Sequence, residues 1–190
     1  MFVPNIVETI GRSTKIIDIP TKLLQERIIF LDDEINAESA NNIIMSLIWL
    51  KHVDDSKDVD FYIKSPGGVC TDTYAIKDVI YKMPFKVNTI GLGQCSSGGA
   101  YLLACGTGSR RVTENCEIMV HGVQGGTFGS MPDMRITMNQ MERINKIYED
   151  GLIQFSGGKI NRNKAKELMQ RDSYMDGFEA IELGLIDEVI

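Results

Sequence analysis

The chain has 190 residues, 43% of them hydrophobic, and 20 Lys+Arg against 26 Asp+Glu give a formal net charge of −6. That is enough apolar material for one buried core, with neither a run long enough to span a bilayer nor the basic clusters of a nucleic-acid or anionic-membrane binder. The opening MFVPNIVETIGRSTK has no basic stretch followed by an apolar one, and the 4 cysteines (Cys70, Cys95, Cys105, Cys116) show no CxxC pair and no histidine at zinc-ligand spacing, so a soluble intracellular protein with free thiols is expected.

Residues 1–20, with Pro4 and Pro20, read as irregular. RIIFL (27–31) is predicted as a strand. A helix follows from Asn36, a good N-cap, because Ala40, Ile43, Ile44, Leu47 and Leu50 recur at helical spacing. VDFYI (59–63) is the next strand and stops at SPGG (65–68), where Pro and paired Gly cannot continue it. Then come a helix over about 71–82, a strand KVNTIG (86–91) and a small-residue helix SSGGAYLLAC (96–105). RRVT (110–113) and EIMV (117–120) are short strands, 122–132 is glycine-rich, and helices are predicted over 133–154 and 162–170. The β-α-β-α-β order predicts one α/β domain with right-handed crossovers.

Several chemical motifs fail. GLGQCS (91–96) lacks the last glycine of a dinucleotide fingerprint, and GxxxxGK[ST], GxSxG and HExxH do not occur. The serines Ser96 and Ser97 are more informative, because they stand where a strand gives way to a helix. A hydroxyl there can face a cleft beside unpaired helix N–H groups, although Ser in that place is often only an N-cap. A serine nucleophile needs a base, and only His52 and His121 carry imidazoles. His52 belongs to the end of an amphipathic helix. His121 ends a strand beside a glycine-rich loop, where functional side chains often project. Asp172, Asp176 and Asp187 are each able to orient it, and spacing does not choose among them. The SPGGV turn (65–69) supplies a second glycine-rich strand end for an oxyanion donor.

Five segments in order, LLQERIIFL (23–31), YIKSPGGV (62–69), GQCSSGGAYLL (93–103), IMVH (118–121) and RDSYMDGFEAIELGLID (171–187), resemble the Clp protease proteolytic-subunit family over nearly the whole chain. The resemblance implies a ClpP/crotonase-like α/β fold of repeated β-β-α units with a protruding handle helix. Residues 1–20 would be an axial segment, and about 122–155 the handle strand and helix. It implies Ser97 as nucleophile, His121 as base, Asp172 as orienting acid, and the N–H groups of Gly68 and Gly98 as the oxyanion hole. Gly125 and Gly126 would line the substrate channel, and Tyr62, Ile90 and Leu92 would wall an unfoldase-docking pocket.

By the same resemblance, two stacked heptameric rings of this chain enclose the active sites in the cytoplasm, or the host cytoplasm if the chain is virus-encoded. An AAA+ unfoldase, ClpX- or ClpA/ClpC-like, feeds unfolded polypeptides. ATP belongs to that partner, and this chain needs no cofactor or metal. Three departures stand out. Gly122-Val123 replaces the usual Gln-Pro, which would loosen the backbone beside the base; Gly98 replaces a frequent Met, which would widen the substrate pocket; Asp60 replaces an aromatic near the docking pocket, which would alter the unfoldase contact. A prohead-type protease, a catalytically silent ring subunit and a crotonase-like acyl-CoA enzyme are the competing readings.

Overall fold

The computed structural model describes residues 5–10 and 13–190. The stretch expected to be irregular is, where described, largely regular. Strand β1 (Asn5–Ile10) pairs antiparallel with β2 (Ser13–Asp18), Asn5 opposite Asp18. Both are rich in β-branched residues, which suit a pleated ribbon. Pro4 lies outside the described residues. Pro20 starts a helix rather than breaking one: it occupies the first turn of α1 (Ile19–Gln25), whose cap Asp18 accepts from Thr21 N–H at 2.7 Å.

The main sheet is built from crossovers. Strand β3 (Ile28–Leu31) leads through α2 (Ala37–Val53) to β4 (Val59–Ser65), then through α3 (Cys70–Ile80) to β5 (Val87–Ser96), then through α4 (Gly98–Ala104) to β6 (Arg110–Val112). Asn36 caps α2 as expected, in a capping box with Ser39. These four strands are parallel, in the order β3-β4-β5-β6, and the sheet continues to β9 (Glu188–Val189). Alternate residues on β3 and β4 (Ile29, Leu31, Val59, Phe61, Ile63) are buried, and their neighbours partly exposed. One face of the sheet therefore carries the helices and the core.

Strand β5 outlasts its prediction by 5 residues, running to Ser96 instead of ending at Gly91. Its first half pairs β6 through residues 89–91. Its second half pairs, through residues 94–96, with β7 (Glu117–Val120). That second pairing is a tertiary event that a run of Gly and Gln does not announce. Helix α5 (Met131–Phe155) follows, projecting with an exposed first half and burying Tyr148, Leu152 and Phe155 at its other end. After α6 (Arg162–Met169), the three-residue β8 (Ser173–Met175) pairs antiparallel with β7, and α7 (Gly177–Glu182) packs against β7, β8 and β9.

The residues between Val120 and α5 pair with no strand among the described residues. No helix among those residues is long and apolar enough to cross a membrane.

Candidate active site

Ser97 stands alone between β5 and α4, at φ 53 and ψ −118. A non-glycine residue is rarely found there, and it persists only when its surroundings over-determine it. They do: Ser97 N–H donates to Met119 C=O at 2.7 Å, and its own carbonyl accepts from Tyr101 N–H at 3.0 Å and from the Tyr148 hydroxyl at 2.9 Å. Tyr148 is 3% exposed, and burial pushes its hydroxyl pKa up, so it stays protonated and donates. The serine is thus a strained strand-to-helix elbow without the usual glycine-flanked motif. Ser96 instead is 1% exposed, and its hydroxyl accepts from Gln94.

His121 follows the last residue of β7, the parallel neighbour of β5, with Ser96 in register with Met119. Asp172 immediately precedes β8, and Ser173 pairs with Val120 across the antiparallel ladder. The histidine and the acid therefore face each other, with His121 Nδ1 3.6 Å from Asp172 Oδ1. That is longer than a hydrogen bond, and Nδ1 is buried without a partner among the described residues. Neither of the other acids competes. Asp176 caps α7 by accepting from Glu179 N–H, and Asp187 takes the Arg110 guanidinium.

Gly67 and Gly68 turn the chain at the end of β4 with φ of 96° and 149°. A side chain at Gly68 would run into the backbone of Ile35, which bridges to it. The N–H groups of Gly68 and Gly98 donate to no acceptor among the described residues. Both glycines, Ser97, His121 and Asp172 line one cavity of about 330 Å³, with Cys70, Thr73 and Tyr148 among its other walls. Burial pushes the Cys70 thiol pKa up, so it is a poor competing nucleophile.

The remaining expectations divide. Gly125 and Gly126 do not line this cavity; they sit further along the unpaired segment. Tyr62 and Leu92 are partly exposed, and Tyr62 stacks on Phe30 with ring centroids 5.9 Å apart. Ile90, in register with Tyr62, is only 1% exposed and lies beneath that surface. Asp60 is satisfied by Asn88 at 2.9 Å and lies 3.7 Å from Arg111. Gly98 does not widen the pocket, because a Cβ there would meet Thr73 Oγ1 at 2.6 Å and Ile35 Cδ1 at 3.0 Å. Nor is Gly122-Val123 loose: Gly122 N–H donates to Met169 C=O and Val123 N–H to Asn145 Oδ1, both at 2.9 Å. Tyr148, Thr73 and Asn145 were invisible in the sequence, where each reads as an ordinary helix residue.

A family model described as Clp protease matches residues 11–190. The ATP-dependent Clp protease proteolytic subunit 1 of Borreliella burgdorferi is 37% identical over 189 residues, covering 99% of this chain and 96% of that protein. A match of that extent, on a parallel α/β scaffold with a strained serine, a histidine and a carboxylate around one cavity, means that the chain belongs to the Clp protease family and is a Clp-type serine endopeptidase.

Proposed function

We propose that Ser97, His121 and Asp172 perform the hydrolysis, with the Gly68 and Gly98 N–H groups holding the oxyanion. The single observation that carries this assignment is the shared cavity, into which all five residues open. Ser97 Oγ attacks the peptide carbonyl carbon while His121 Nε2 takes the hydroxyl proton. The tetrahedral oxyanion is stabilised by the two free N–H donors, and the α4 dipole adds to them. Collapse breaks the C–N bond, and His121 gives its proton to the leaving amine. Water then attacks the acyl ester, with His121 again the base, and frees the acid and Ser97. Asp172 holds the imidazole tautomer, and the 3.6 Å separation closes to a hydrogen bond when substrate fills the cavity.

The substrates are unfolded polypeptides, added as a strand along the unpaired segment that holds Gly125 and Gly126. The whole chain works as one domain in two stacked heptameric rings in the cytoplasm, fed by an AAA+ unfoldase that alone uses ATP. Tyr62 and Leu92 contribute to that docking surface, and the paired Asp60 makes it more polar than an aromatic would. The chemistry needs no metal or cofactor. Covalent labelling with a fluorophosphonate, mapped by peptide mass, tests the assignment. Modification at Ser97 that vanishes in His121→Ala is expected; modification at Ser96, or full labelling of His121→Ala, would refute it.

A further inference from the structure

Helix α5 touches the two halves of the site from one face. Tyr148 donates to the Ser97 carbonyl at 2.9 Å, on the nucleophile side. Asn145, three residues earlier and so on the same helix face, accepts from Val123 N–H at 2.9 Å, two residues beyond His121. The strand that carries His121 ends at Val120. Past it, the backbone donors of Gly122 and Val123 are held only by Met169 C=O and Asn145 Oδ1 among the described residues. Gly122 has no Cβ because one would lie 2.9 Å from that carbonyl and 3.3 Å from Asn145 Oδ1. Asparagine is a poor choice for the middle of a 25-residue helix. Its side chain serves not its own helix but a segment 22 residues upstream, and such a breach of local preference marks a functional constraint.

We propose that Asn145 is a positioning residue of the peptidase reaction, fixing through Val123 the place of His121 against a serine that Tyr148 holds from the same helix. The proposal rests on the assignment of His121 as base. Residue 123 matters because it is not proline: only an N–H there can be held in this way. The contact adds no group to the reacting atoms. It acts on kcat through alignment, where a displacement of about 1 Å can cost on the order of a hundredfold.

The test uses the full chain in its assembled form, with a fluorogenic peptide and the fluorophosphonate probe. Asn145→Leu, which keeps the volume and loses the acceptor, is expected to lower kcat about tenfold or more with KM within about twofold. The labelling rate at Ser97 should fall in parallel. Asn145→Asp keeps an acceptor oxygen and should retain activity within about threefold of the parent. Val123→Pro should resemble Asn145→Leu, and the double variant should be no worse than either. Equal losses in the Leu and Asp variants, multiplying losses in the double variant, or a changed assembly mass in Asn145→Leu would overturn the proposal. His121→Ala separates the two levels. If it keeps full labelling, the base assignment fails. If it abolishes labelling while Asn145→Leu changes nothing, only the role of Asn145 fails.

Discussion

Replacing Gly98 by alanine probes how tightly the helix that follows Ser97 is seated. The new Cβ would lie 2.6 Å from Thr73 Oγ1 and 3.0 Å from Ile35 Cδ1. The first of these is roughly 0.8 Å inside a relaxed contact. Neither neighbour can retreat freely. Thr73 is 1% exposed with its hydroxyl on Val69 C=O at 3.0 Å, and Ile35 is fully buried and bridged to Gly68. Overpacking of this kind costs about 1–3 kcal/mol, which for a chain of this length lowers Tm by roughly 2–12 °C. The strain is also delivered to the Gly98 N–H, so the labelling rate at Ser97 should fall by about tenfold or more as that donor leaves its position. Thr73→Ala alone loses the Val69 bond and leaves a small void, costing about 1–2 kcal/mol. In the double variant the alanine methyl enters that void, and the combined loss should be smaller than the sum by about 1 kcal/mol or more. Differential scanning fluorimetry and the labelling rate measure both effects. A Gly98→Ala protein as stable and reactive as the parent, or strictly additive losses, would refute this account of the glycine.

Two further outcomes are expected. Burial pushes the Asp187 carboxyl up, but the hydrogen bonds and charge of Arg110 outweigh it and hold the group below its usual range. A lowered folded pKa means stability present above the unfolded value and lost as pH falls through the folded one. Asp187→Asn should therefore cost about 1 kcal/mol near pH 7, a modest figure because the side chain is 45% exposed, and less near pH 3, below the unfolded value. Urea midpoints at both pH values check this, and an equal difference at each would contradict it. Of the thiols, Cys95, Cys105 and Cys116 are at most 2% exposed, and burial raises that of Cys105 to about 12. N-ethylmaleimide should modify Cys70 alone in the native protein, as peptide mapping would show; rapid modification of the other three before unfolding would contradict the packing.

The long crossover helices and central strands were legible because their apolar periodicities are strong, as in Ala40, Ile43, Leu47 and Leu50 on α2. Strands β8 and β9, of three and two residues, are too short to carry a period, and they exist only because β7 and β6 offer them an edge. Residues 1–20 misled because the prolines outweighed the β-branched pattern between them. In the site, a serine at a strand-to-helix junction and a histidine at a strand end were readable from local pattern. The acid was not, since Asp172, Asp176 and Asp187 differ only in what the fold places beside them: an imidazole, a helix end and a guanidinium. The supports at Thr73, Asn145 and Tyr148 act across 22 to 51 residues of chain, a distance at which sequence spacing carries no geometry.

The serine and the histidine hang from neighbouring parallel strands deep in the sheet, whereas Asp172 hangs from a three-residue ladder at its margin. Fraying of that short ladder would carry the carboxylate away while leaving the elbow and the imidazole where they are. Peptidase competence and native structure would then part company: a population folded by every global probe would be silent for as long as that margin stood open.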